Sequence, residues 1–401
     1  SASVMKGGTY HNLRDLSGFP VKRADLQYEK WPARKVTLPD PASLMQSIAT
    51  KDLLLNTTYE DYDLVLRFFN EAASDPETQE IYITLYRIAG DSRIAHALIS
   101  AAKNGKSVTV FVELKARFDE ANNIRWAKRM KEAGVKIIYS IPGLKVHAKT
   151  ALVKKKKGSR VKYYGLLSTG NFNESTARFY TDHILLTAHP GLLRELELLF
   201  IYLAKRKKPD ADNQIEFEHL LVAQFNLRQR FLALVDREIA HARKGLPASI
   251  VIKLNNLEEE TLINKLYEAS RAGVTVRLLV RSICRLIPGM EGLSENITIH
   301  RIVDRYLEHG RLFMFHNNGN EEIFAGSADW MNRNIYRRIE VCFPVYDAAI
   351  RKELKQLIEL QLRDNTQAVR IDAELKNQPI EQHGEQVRSQ EAIYFTLNQK
   401  I

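Results

Sequence analysis

Lys145-Val146-His147-Ala148-Lys149-Thr150-Ala151-Leu152-Val153 sets a histidine and a lysine two residues apart at the head of an apolar run. Residues two apart on extended backbone share a face, so the spacing predicts a strand that aims an imidazole and an ammonium at one point. A nucleophile or proton shuttle beside a fixed cation suits phosphoryl chemistry. For a single pair of this kind, the plainer reading is a surface strand with a stray His and Lys. A second, weaker copy changes that balance. Glu308-His309-Gly310-Arg311-Leu312-Phe313-Met314-Phe315 repeats the arrangement with Arg311 in place of the lysine.

Outward from these copies the chain alternates between strand and helix patterns. In the first half, strands are expected at residues 81–86, 108–113, 135–139, 161–167 and 182–187. Helices are expected at 43–55, 59–73, 94–103, 121–133 and 192–205. The second half repeats the plan. Its strands are expected at 250–254, 274–280, 297–300, 322–324 and 338–343, and its helices at about 220–243, 258–270 and 348–362. Residues 392–397 are expected to add an edge strand. The polar run Lys205-Arg206-Lys207-Lys208-Pro209-Asp210-Ala211-Asp212 marks a boundary. The expectation is an α/β protein with two tandem domains, residues 41–208 and 209–401, and mixed, largely parallel sheets. Residues 1–40, opening Ser1-Ala2-Ser3 with Met5 internal, read as the tail of an upstream domain and a linker. The site should lie at strand ends, between the two copies.

The 401 residues are 45% hydrophobic and 27% charged, ordinary for a soluble globular protein. The net charge of +11 favours a polyanionic partner: nucleic acid, phosphate ester, inorganic phosphate polymer or acidic membrane surface. Two cysteines, Cys284 and Cys342, exclude a disulfide framework and a cysteine-based zinc site, and point to an intracellular setting. The most apolar long stretch, 184–204, is interrupted by Arg194, Glu195 and Glu197 and does not read as a membrane span.

Each His-x-basic pair is followed, at nearly the same remove, by a turn of small and amide residues. These are Ser168-Thr169-Gly170-Asn171-Phe172-Asn173 and Gly326-Ser327-Ala328-Asp329-Trp330-Met331-Asn332. Such turns present N–H donors to an anion, which makes Asn171, Asn173, Ser327 and Asn332 candidate phosphate contacts. A carboxylate follows each turn, Asp182 and Glu340, and either could fix a histidine tautomer or serve in an ordinary salt bridge. Arg87, Arg117 and Arg281 all sit just past expected strands, where a phosphate-gripping cluster would form. Lys154-Lys155-Lys156-Lys157 reads as a solvated loop or as a landing track for a polyanion.

The duplicated His-x-Lys/Arg with its turn resembles the phospholipase D superfamily, which builds one site from two copies. That motif also carries an aspartate shortly after the lysine, and neither copy here has one. A resemblance covering nearly the whole chain is to the C-terminal part of bacterial polyphosphate kinases. It is carried by LYRIAGDSRI, VELKARFDEANNIRWAKRMKEAGVKIIYSIPGLKVHAK, STGNFNESTARFYTD, LVRSICRLIPGMEGLSENI, YLEHGRLFMFHN and SADWMNRN. The fold implied is two tandem phospholipase D-like α/β domains, with the first residues closing a head domain. The activity implied is reversible transfer of the ATP γ-phosphate to inorganic polyphosphate through phosphohistidine on His147. His309, Lys149 and Arg311 would assist, Tyr180 and Arg281 would contact ATP, and Arg87 and Arg117 would hold a Mg²⁺–phosphate site. ATP/ADP and polyphosphate are the implied partners, in a homo-oligomer without specific nucleic acid. The implied location is cytoplasmic, with peripheral membrane association. A phospholipase D-type phosphodiesterase is the alternative. Gly310 and Asp304 depart from the residues this family leads one to expect.

Overall fold

The computed structural model describes residues 2–5, 9–12, 23–113, 120–141, 143–209, 214–382 and 384–399. Up to Pro32 the chain is a separate compact unit. Its strands Ala2–Met5 and Thr9–Asn12 pair antiparallel. From Ala33 onward the chain forms one unit. No helix among the described residues is long and apolar enough to cross a membrane.

Two mixed sheets organise this larger unit. The first runs, in spatial order, Leu53–Asn56, His183–Thr187, Arg160–Ser168, Thr150–Lys157, Thr78–Leu85, Ser107–Val112 and Lys136–Tyr139. The second runs Leu221–Val222, Val341–Pro344, Glu322–Gly326, Arg311–Phe315, Ser249–Leu254, Thr275–Val280, Ile297–Ile302, Ala368–Ile371 and Asn377–Pro379. The central strands are near-continuous apolar runs because both faces are covered.

Helices form where local signals agree. Arg93–Lys103 is capped by Ser92, whose hydroxyl accepts from the Ala95 N–H, and it ends before Gly105, at φ +80°. Its buried stripe, Ile94, Ala95, Ala97, Leu98 and Ala101, joins Asp63–Ser74 over the outer face of the first sheet. Leu227–Arg243 and Glu260–Arg271 cover the outer face of the second sheet. Between the sheets lies a shared apolar layer. It takes Leu152, Leu167 and Leu185 from one sheet, Leu312, Met314 and Phe343 from the other, and leucine and isoleucine stripes from Pro190–Ala204 and Ala348–Leu362.

The mixed α/β plan is as expected, but the balance within it differs. Within the two large sheets, among the described residues, parallel pairing is confined to the two ladders following each first βα crossover, and the other ladders of those sheets are antiparallel. After these parallel strands each half returns through an antiparallel hairpin, Thr150–Lys157 with Arg160–Ser168 in the first and Arg311–Phe315 with Glu322–Gly326 in the second. The helix expected at 43–55 stops at Thr50, where Lys51 turns extended, and Leu53–Asn56 pairs along the open edge of His183–Thr187. Residues 392–397 are helical, within Ser389–Asn398. Ile393 and Leu397, four apart, bury one face against Tyr59 and Leu357, which a strand could not do. The lysine run lies in a strand rather than a loop, and Lys154 and Lys155 pair with Glu197 and Asp75.

Candidate functional site

The histidines do not sit in strands. His147-Ala148-Lys149 is irregular backbone between the short strand Lys145–Val146 and Thr150–Lys157. His309-Gly310 likewise bridges Leu307–Glu308 and Arg311–Phe315. In both copies the basic residue turns back on its own histidine. The Lys149 ammonium donates to the His147 carbonyl, and Arg311 Nη1 to the His309 carbonyl at 2.9 Å.

Two miniature parallel ladders then cross between the halves. Lys145 and Val146 pair with Arg338 and Ile339. Tyr180 and Thr181 pair with Leu307 and Glu308. Each ladder brings a histidine from one half beside a carboxylate from the other. His147 Nδ1 lies 2.9 Å from the Glu340 carboxylate, and His309 Nδ1 lies 2.8 Å from Asp182. A carboxylate only accepts, so each Nδ1 carries the proton and each Nε2 keeps its lone pair.

Small hydroxyls from the turns hold these carboxylates. Ser327 donates to Glu340 at 2.5 Å and Thr169 to Asp182 at 2.7 Å; Asn334 adds a 2.6 Å bond to Glu340. Gly170 packs so tightly under Asp182 that a Cβ there would fall 1.9 Å from its Oδ2.

Burial dominates the electrostatics. It holds His147 well below the usual imidazole range, and Lys149, Arg338 and Arg311 push the same way. Burial likewise lowers His309, with Arg311 and Lys149 adding and Asp182 opposing. Each histidine thus feels the cation of the other copy. Burial also pulls the Lys149 ammonium well below its ordinary range, against Glu340. It pushes Glu340 up, with Lys149 and Arg338 opposing. For Asp182, burial pushes upward, but His309, Thr169 and Arg311 together carry it below the usual carboxylate range.

The copies differ in how their cations are held. Asp329 grips Arg311 through Nε and Nη2, both at 3.3 Å. Asn171 stands in the corresponding turn of the first copy, and its buried side-chain oxygen has no partner among the described residues. Lys149 instead lies 5.3 Å from the centre of the Tyr86 ring, which meets His147 edge-on at 4.8 Å.

Other expected residues fall into two groups. Tyr180 stacks obliquely on His309 at 4.9 Å, and Arg281 is tied in through Asn255, which accepts from its Nε and donates to the His309 carbonyl. Arg87 follows Thr78–Leu85, and its carbonyl accepts from Asn173. Asn173 and Ser327 are committed to the fold rather than offered as anion donors. Asn173 caps the Ser175 and Thr176 N–H groups, and Ser327 serves Glu340. Asn332 is exposed and bonded to Glu258, away from the histidines. Arg117 lies outside the described residues. Asn255, Asp329, Asn334 and Tyr86 were not singled out from sequence; only Asp329 had a signal there, an acid inside the second turn.

Comparison with known proteins follows the duplication. The profile of polyphosphate kinase C-terminal domain 1 matches residues 43–209, and that of C-terminal domain 2 matches residues 220–390. Polyphosphate kinase of Escherichia coli (strain K12) is 44% identical over 397 residues, covering 98% of this chain and 57% of that relative. The chain therefore spans little more than half the length of the curated relatives it matches. The crystal structure of polyphosphate kinase from Porphyromonas gingivalis has a TM-score of 0.89 at 43% identity, over 99% of this chain and 60% of that one. Phosphatidylserine synthase of Haemophilus influenzae Rd KW20 is 12% identical with a TM-score of 0.53, over 87% of this chain and 92% of that one. That second likeness is one of fold alone. The chain shares the mixed α/β architecture of that polyphosphate kinase structure, with one family domain matching each half.

Proposed function

The chain belongs to the polyphosphate kinase family, over that family's two C-terminal domains, and on that basis we propose that it transfers phosphate reversibly between ATP and inorganic polyphosphate. The observation that carries this reading is the pair of crossed histidine–carboxylate dyads among buried cations.

His147 is the nucleophile. Its Nε2 attacks the γ-phosphorus of ATP, and the bond to the bridging oxygen breaks as the electron pair leaves on ADP. A terminal oxygen of polyphosphate then attacks the phosphohistidine. The N–P bond breaks, its pair returns to Nε2, and the polymer is one unit longer. Both donors are high-energy, so the steps run either way. His309, oriented by Asp182, gives or takes the proton at the leaving and entering oxygens. Lys149, Arg311 and Arg281 neutralise charge spread over the phosphoryl group in flight, with Arg87 and Arg117 gripping phosphate oxygens.

ATP would arrive as its Mg²⁺ salt. Among the described residues no cluster of three or more His, Cys, Asp or Glu side chains could hold a metal, and the carboxylates at the site are taken by His147, His309 and Arg311. The donor set does not build a metal cage, and phosphate oxygens are the ion's natural ligands.

The test is incubation with γ-labelled ATP, mapping of acid-labile phosphate to a peptide, and a chase with unlabelled polyphosphate. Label on His147 that passes into polymer is the expected result. Stable incorporation elsewhere, or none in folded protein, overturns the reading.

The pH profile should show the burial. A protonated imidazole cannot attack, and His147 takes its proton only well below its ordinary value of about 6.5. The acid limb of kcat/KM, which reports the free enzyme, is therefore expected below pH 6.5. A limb at or above that pH would mean that His147 is solvated. Gly170→Ala should also be informative, because the new methyl must displace Asp182 from His309. We expect a rate loss on the order of 100-fold in a protein that still unfolds cooperatively.

A further inference from the structure

The segment that delivers His309 is gripped from outside the site. Residues 304–308 lead from Ile297–Ile302 to the histidine. Along that stretch they meet the residues that open the C-terminal helix Ser389–Asn398. The Arg388 guanidinium forks onto Asp304, with Nε to Oδ2 at 2.9 Å and Nη2 to Oδ1 at 2.5 Å. Gln390 accepts the Tyr306 N–H at 2.8 Å and donates to the Tyr306 carbonyl at 2.9 Å. The same amide donates to Glu308 at 2.8 Å.

Glu308, next to His309 and only 4% exposed, passes the grip inward. Its other oxygen accepts from Lys253 at 2.5 Å, from Thr181 at 3.1 Å and from Gln361 at 3.1 Å. Thr181 precedes Asp182, and its carbonyl accepts the Gly310 N–H at 2.7 Å. A path of hydrogen bonds therefore runs from the C-terminal helix to the chain neighbours of both members of the His309–Asp182 dyad, Glu308 and Gly310 on one side and Thr181 on the other. The helix itself is seated by Ile393 and Leu397 against Tyr59 and Leu357. Both departures noted in sequence fall on this path. Asp304 is the anchor for Arg388. Gly310 leaves room for the buried ring of His183, whose Cδ2 would lie 3.0 Å from a Cβ there. The matching segment before His147 packs into the apolar layer instead, through Leu144, Val146 and Ile339.

We propose that Arg388 and Gln390 are positioning residues for His309, a latch through which docking of the C-terminal helix sets the second dyad. The proposal rests on the reading that His309 assists phosphoryl transfer. It touches no reacting atom, and it acts on one histidine and not the other.

The experiment is Arg388→Ala and Gln390→Ala, singly and together, in wild-type and His309→Ala backgrounds. Melting temperature, label transfer to His147 and NMR titration of both histidine side chains are followed in the same samples. The double variant should slow labelling about tenfold or more in the wild-type background, and less than about twofold in the His309→Ala background. The His309 titration should move up towards about 6.5 as its segment loosens, with that of His147 unchanged. Equal loss in both backgrounds, or an unmoved His309 titration, overturns the latch. Should wild type incorporate no phosphate at all, the proposed function fails, and the titration alone decides the latch.

Discussion

His147→Ala is expected to reduce ATP-derived labelling and polymer extension to background, a loss on the order of 10⁴-fold or more, as when a covalent nucleophile is removed. The neighbouring cations would still bind phosphate, so nucleotide affinity should change far less than rate. The fold should survive. Among the described residues the His147 side chain hydrogen-bonds Glu340, and Glu340 keeps Ser327 and Asn334 as donors when the imidazole is gone. The ring also meets Tyr86 edge-on, and the stability cost should be about 1–2 kcal/mol. Labelling stoichiometry and a melting curve on the same sample check both parts. Undiminished transfer in the variant would remove His147 from the chemistry.

Glu340→Gln should be nearly as damaging for a different reason. The carboxylate is fully buried and accepts from His147, Ser327 and Asn334 together, with Arg338 at 3.8 Å. An amide of the same shape must turn N–H groups towards some of those donors. The simplest relief is for His147 to switch tautomer and accept on Nδ1, which puts the proton on Nε2, the attacking atom. Geometry is kept and the nucleophile is lost, as when a triad aspartate becomes asparagine, so the rate should fall about 10³–10⁴-fold. Removing this charge also leaves Lys149 and Arg338 short of a counter-charge, and stability should drop by about 3 kcal/mol. A variant within tenfold of the wild-type rate would show that Glu340 only fills space.

The residues that meet at the candidate site were easier to read from sequence than the contacts between them. His147, Lys149, His309 and Arg311 could be found because scarce residue types recur at one spacing, and the turns and carboxylates recur behind them. The two-fold plan followed from the same repetition. The exchange of carboxylates between copies was not legible. It depends on ladders only two residues long, which leave no periodic trace, and on docking of the two halves. Turn residues misled where type and use diverge. Asn173 and Ser327 look like anion donors and serve as a cap and a prop. Leu53–Asn56 and Ser389–Asn398 were misassigned because short apolar segments take the form their neighbours leave open: an unpaired sheet edge for one, an apolar seat for the other.

The crossed dyads also set when the site can assemble. His147 and Glu340 are 193 residues apart, and His309 and Asp182 are 127 apart. Contacts of such separation close late, after each half has found its own sheet. During synthesis the first histidine emerges long before its partner acid. Until the second half folds it lacks Glu340, Arg311 and Arg338 beside it. A chain that ends before His309 therefore holds neither dyad. The dyads assemble only when both halves have folded, and a truncated product carries the first histidine without its acid.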